Sequence, residues 1–284
     1  MEVETQLKLI NKPSVKSIQR KPSFEQRKSR RTGAYAPKIG LEKDLCPLNT
    51  VPIRRTTKQD LIRAKALSNS VRPNTQTSPG SHYAVFYMKK FDNISYTGVK
   101  GRINAYNPRV EKDQMSDANT WVQNGPDQSL NTIVTGWMVY PTIYGGDDRS
   151  HFFSAWTDAE TKNWWLLAGD NNSSIGYFPA ALFSNLTSAD RVGWGGRVIN
   201  PGNDTSPPMG SGYFPDADAT HCASFSQMLY QTTLSKEFVG PSDKSRTETY
   251  ADNTDCYNVE YYGYQGADMG YTILFGGPGG NCGS

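Results

Sequence analysis

Long apolar runs are missing from this chain. No stretch approaches the ~18 uninterrupted apolar residues that mark a membrane-crossing helix, and the mean hydropathy is −0.63. No membrane span is therefore expected. An excess of charge of one sign is missing too. Lys and Arg number 30 against 27 Asp and Glu, a net charge of +3, so the overall balance selects no nucleic-acid partner. Cysteine is scarce: Cys46, Cys222, Cys256 and Cys282. None falls in a CxxC or Cys/His spacing that suggests zinc, and neither a metal nor a cofactor is expected. Histidine is scarcer, with only His82, His151 and His221, and no Gly-x-Ser-x-Gly elbow accompanies them. A Ser/His/Asp triad is thereby disfavoured. The opening MEVETQLKLINKPSV is charged and has no apolar core, so it does not read as a signal peptide.

Aromatics and glycine are plentiful: 12% of residues are aromatic and 26 are Gly. That composition favours a loop-rich, all-β domain. The central stretch is NTIVTGWMVYPTIYGG, 131–146. Its β-branched and aromatic residues suit a half-buried strand over 132–140, and Pro141 with Gly145-Gly146 ends it in a turn. Alternation puts Val134, Gly136, Met138 and Tyr140 on one face, with Ile133, Trp137 and Val139 on the other. Gly136 leaves a gap where a ligand or another backbone approaches. A second stretch, RVGWGGRVIN at 191–200, has the same Gly-Trp pattern. It predicts a strand over 192–199 that pairs with the first near the centre of the sheet. Its dense glycines fit either a bulged, tightly packed strand or the floor of a groove for an extended chain.

Residues 1–80 read as a separate region. They are polar and basic, with RKPSFEQRKSRR at 20–31, and are expected to be a poorly ordered arm. One short helix is predicted at 56–67, capped by Thr57 with Asp60 three residues later. A Pro/Ser/Thr/Gly linker over 69–81 forms the boundary. The β-domain then runs from 81 to 284. HYAVFYMKK and SYTGVKGRINAYNP are expected to be antiparallel neighbours. DANTWVQNG and HFFSAWT are further strands. NWWLLAG and SIGYFPAAL form a hairpin, AALFSNL a short helix, and the stretch from Cys256 to Cys282 a second hairpin. A Cys256–Cys282 disulfide fits that hairpin. Asn-x-Ser/Thr sequons occur at Asn93, Asn171, Asn172, Asn185 and Asn203, which are acceptor sites if the chain enters a secretory route.

Several of these blocks, in this order, resemble the neprosin family of plant secreted proteins. They are VPIRRTTKQDLIRAK, INAYNPRVEKDQMSDANTWVQNG, LNTIVTGWMVYPTIYGGDDR, NWWLLAG, IGYFPAALFSNL, GWGGRVIN and the terminal FGGPGGNC. The resemblance implies an antiparallel β-sandwich behind an N-terminal propeptide. It also implies an extracellular setting and a glutamic endopeptidase acting on proline-containing peptides. Two departures bear on activity. Where the family carries a glutamate two residues before the first Gly-Trp, this chain has Val134. Where it carries a second glutamate after Trp-Gly-Gly, this chain has Arg197. A third departure follows Thr157, where the resemblance implies that a segment holding several strands is missing.

Two neighbouring carboxylates share a proton, one serving as base toward water and the other as acid. Valine cannot take a proton, and arginine stays charged at any working pH. The remaining glutamates after the linker, Glu111, Glu160, Glu237, Glu248 and Glu260, read as solvated surface acids. Asp147 and Asp148 read as turn acids. The expected function is thus a catalytically impaired peptidase relative. The alternative is a non-catalytic module that binds peptide or cell-wall protein in the same groove, at Gly136, Trp137, Tyr140, Trp194, Gly195 and Gly196. The sequence specifies no oligomeric state.

Overall fold

The computed structural model describes residues 80–283, except 92, 127–129, 158–163, 170–172, 179–182, 184 and 203–204, together with residues 4, 5, 7 and 57–59. The basic arm over 20–31, Cys46 and most of the helix at 56–67 lie outside the described residues. Of that helix, Lys58 and Gln59 are described and are helical.

Thirteen strands are present among the described residues: β1 (Ser81–Met88), β2 (Tyr96–Ile103), β3 (Met115–Asn124), β4 (Asn131–Val139), β5 (His151–Thr157), β6 (Trp164–Ala168), β7 (Ser173–Phe178), β8 (Arg191–Ile199), β9 (Ala223–Thr232), β10 (Ser235–Val239), β11 (Thr247–Ala251), β12 (Asn258–Tyr264) and β13 (Tyr271–Gly276). A six-stranded sheet runs in the order β11-β1-β8-β3-β4-β5, and a second sheet in the order β10-β9-β13-β12, with β2 also on β9. The fold is an antiparallel β-sandwich. β6 and β7 form a separate hairpin.

The apolar alternation explains why the two sheets stack. Phe86, Trp137 and Trp194 of the large sheet and Phe225, Ile273 and Phe275 of the small one are buried in one core. Phe86 stacks on Tyr261 of β12 at 4.4 Å between ring centres. The Trp194 Nε1–H donates to the Lys100 carbonyl at 3.2 Å, and the Trp137 Nε1–H to the Asn104 carbonyl at 3.0 Å. Each indole therefore buries its ring and still satisfies its one donor.

Three expectations need correction. The two Gly-Trp strands lie in one sheet but are not direct neighbours. β3 sits between them, pairing with β4 through Trp121↔Val134 and with β8 through Trp121↔Gly193. β1 and β2 do not form a hairpin ladder. β1 pairs with β8 and β11, while β2 pairs with β9 in the other sheet. The intervening chain crosses from one layer to the other instead of turning in a tight hairpin. Within AALFSNL, Phe183 is a bridge residue and Asn185 lies in a bend; residues 180–182 and 184 lie outside the described residues. A disulfide joins Cys256 to Cys282 across the base of the β12–β13 hairpin, with Cα atoms 5.9 Å apart.

Candidate functional site on the outer face of the large sheet

Strand pairing fixes the rungs of the outer face. One rung holds Val134, Trp121, Gly193 and Tyr87. The next holds Gly136, Asn119, Gly195 and Val85. The third holds Met138, Asp117, Arg197 and Tyr83. Val134 and Arg197 thus share a face but sit four residues apart on strands two spacings apart. That is about 13 Å along and about 10 Å across. The span exceeds the ~3 Å at which two carboxylates share a proton. Positions 134 and 197 therefore address different ends of the face.

Val134 is 3% exposed and packs in a second apolar cluster with Trp121, Met138, Tyr140 and Phe153. That cluster contains no carboxylate and no imidazole; the acid of the same rung, Glu248, pairs with Tyr87 on the far edge strand. At the other end lies a residue that the sequence reading passed over. Asp117 is fully buried and faces Arg197, itself 5% exposed. The Arg197 Nη2 and Nε donate to Asp117 Oδ2 at 2.7 and 3.2 Å. Asn119 Nδ2 donates to the other carboxylate oxygen at 2.7 Å. Burial pushes the Asp117 carboxyl up, and Arg197 and Asn119 pull it only partly back. Burial also works to strip the Arg197 charge, but Asp117 and Tyr83 more than offset it. The guanidinium keeps its proton, as its chemistry requires. Burial likewise raises the Tyr83 hydroxyl. The sequence signal for Asp117 was faint: an acid sharing the alternating face of Asn119, Trp121 and Gln123 in a strand otherwise suited to a core.

The six groove residues divide between the two faces. Trp137, Trp194 and Gly196 point into the space between the sheets; a Cβ on Gly196 would sit 2.7 Å from Met209 Sδ and 2.8 Å from a Phe275 ring carbon. Gly136, Tyr140 and Gly195 belong to the outer face. The gap left by Gly136 is taken by backbone: a Cβ there would lie 2.0 Å from the Ala118 carbonyl oxygen. Gly195, at φ +153°, would place a Cβ 2.3 Å from the Ala84 carbonyl oxygen. These glycines allow close strand packing.

Most of the other described titratable candidates have partners of their own. Asp147 holds Arg149 in a surface ion pair, and the Arg149 hydrogen bonds draw its carboxyl well below the usual range. Asp148 is exposed at the same turn. Glu111 lies near Arg109, Glu248 near Lys89, and Glu260 accepts from the Tyr262 hydroxyl. Glu237 is exposed; Glu160 is outside the described residues. His82 Nδ1 lies 2.7 Å from Asp252 Oδ2, His151 stacks on Tyr144, and His221 contacts Asp216. Of the sequons, Asn93 and Asn185 are exposed, whereas Asn171, Asn172 and Asn203 lie outside the described residues. No helix among the described residues is long and apolar enough to cross a membrane.

A comparison with family models matches the Neprosin family over residues 112–161 and 153–278, two stretches that overlap at 153–161. With the order of blocks, the antiparallel sandwich and a match that covers more than half of the sequence, the chain belongs to the neprosin family.

Proposed function

We propose that this chain is a neprosin-family protein that does not hydrolyse peptides. One observation carries the reading: at the position of the second family glutamate, Arg197 is buried and spent on Asp117. The first glutamate position supports it, since Val134 lies in an apolar cluster. Loss of the base alone costs at least ~10²- to 10⁴-fold in rate. Asp117 does not replace the lost group, because its oxygens already accept from Arg197 and Asn119. A segment of the family domain is absent after Thr157. This is supported by the two-part match meeting at 153–161 and by β5 standing at the end of the sheet order. Exposed sequons at Asn93 and Asn185 suit a glycosylated, secreted relative.

The test compares the unmodified chain with a variant carrying Val134→Glu, Arg197→Glu and Asp117→Leu on a proline-rich peptide in acidic buffer. Asp117 has to go as well, because a glutamate at 197 would face it as a second buried carboxylate. The unmodified chain is expected to show no turnover. Turnover that survives purification to constant specific activity would overturn the proposal. Peptide binding without turnover, read by fluorescence anisotropy, would add a binding role on the same scaffold.

A further inference from the structure

Away from the outer face, the loop that leads into β9 gathers three side chains of different donor chemistry. Asp216, His221 and Cys222 bring a carboxylate oxygen, an imidazole nitrogen and a sulfur within 4.8 Å of one another. We propose that this loop is a binding site for one borderline-soft divalent transition-metal ion, best matched by Zn2+, with Cys222 Sγ, His221 Nδ1 and an Asp216 carboxylate oxygen as ligands.

Cys222 is fully buried and outside the disulfide. Its Sγ faces two oxygen acceptors, the Phe214 carbonyl at 2.9 Å and Asp216 Oδ1 at 2.8 Å. A thiol has one proton, so it satisfies one of them, and the other contact sets lone pair against lone pair. Asp216 Oδ2 in turn contacts His221 Nδ1. Asp216 Oδ1 also accepts from the Asp218 N–H at 3.0 Å; the sulfur is thus left with one more oxygen contact than its proton serves, and a cation between the donors removes that conflict. A bound dication would hold Cys222 as the thiolate that serves as its ligand.

The donor set decides the metal class. Sulfur, imidazole and carboxylate together suit Zn2+, while Ca2+ and Mg2+ take oxygen. Zn–S of ~2.3 Å and Zn–N or Zn–O of ~2.0 Å place tetrahedral ligand atoms about 3.3–3.6 Å apart. Cys222 is fixed at the head of β9, so the Asp216 and His221 side chains make the adjustment to that spacing. They are free to do so: the Asp216 and His221 side chains are 40% and 43% exposed. The Tyr213 ring lies 3.8 Å from the His221 ring and limits how it turns. Three protein ligands leave a fourth position for water. The loop is also tied to the main core. The Cys222 carbonyl accepts from Asn104 Nδ2 at 3.2 Å, and the Asn104 carbonyl accepts from Trp137.

The experiment adds Co2+, a spectroscopic stand-in for Zn2+, to the purified full chain. A thiolate-to-Co2+ charge-transfer band saturating at one ion per chain, displaced by Zn2+, is expected. Cys222→Ser should abolish the band, and Asp216→Asn and His221→Ala should each weaken Zn2+ binding tenfold or more in a chelator competition. Cys46→Ser should leave the band intact, which separates the two thiols. Asp216→Asn changes only an exposed side chain, so its folding, checked by thermal melting, is expected to be unimpaired. Absence of the band, its persistence in Cys222→Ser, or its loss in Cys46→Ser would each overturn the proposal.

Discussion

The two faces of the large sheet obey different rules. The inner face follows strand alternation: Phe86, Trp137 and Trp194 meet the small sheet and bury nearly all their area. The outer face mixes an apolar end around Val134 with three glycines, Gly136, Gly193 and Gly195, and a buried ion pair. In the inner face apolar burial decides most positions, with His82, paired to Asp252, the polar exception. In the outer face burial requires a specific partner, and Arg197 is tolerated only because Asp117 is one rung-mate away. The face that the resemblance marks as catalytic is thus the one where charge is consumed internally.

The largest expected effect concerns the inner face. Trp194→Ala should cost about 3–5 kcal/mol of unfolding free energy, measured by chemical denaturation. A loss below about 1 kcal/mol would mean that the sandwich core does not depend on the Trp194 contacts. Gly195→Ala sharpens the contrast on the other face. If the glycines only opened a groove, a methyl would be harmless to stability. Because its Cβ would meet the Ala84 backbone, a loss of about 1–3 kcal/mol is expected. An unchanged melting temperature would return the groove reading.

How much of this was legible in the sequence depends on the kind of residue. β4 and β8 were legible because β-branched and aromatic residues alternate there and turns bracket them. Their separation by β3 was not, since alternation gives a strand its faces but says nothing about its neighbours. The β1 and β2 assignment failed for the same reason: adjacency in the chain suggested a hairpin, while burial sent the strands to different layers. β10 and β11 were missed because their short, polar sequences, SKEFV and TETYA, belong to edge or near-edge strands with little apolar signal. The resemblance drew attention to Arg197. Its partner Asp117 was not legible, because 80 residues separate them and only the β3–β8 register brings them together. The Asp216, His221 and Cys222 cluster matches no standard ligand spacing, so only the folded loop reveals it.

The smallest expected effect compares an exposed acid with the buried one. Contacts from Cys222 and His221 draw the Asp216 carboxyl down to about 2. A depressed folded-state value means that its contribution is fully present above the ordinary carboxylate range, near pH 4, and fades as pH falls toward 2. Carboxyl-carbon NMR titration should therefore find Asp216 still ionised at about pH 3. An ordinary midpoint near ~4 would show that the loop does not hold together in solution.

The most direct measurement is a double-mutant cycle on the outer-face pair. Arg197→Met alone leaves the Asp117 charge buried without its partner and should cost about 3–5 kcal/mol. Adding Asp117→Leu removes that orphan, and the double variant should return to within about 1 kcal/mol of the unmodified chain or exceed it. Recovery in the double variant is the result this account predicts. Additive losses, with no recovery, would contradict it, because Arg197 would then serve something other than Asp117.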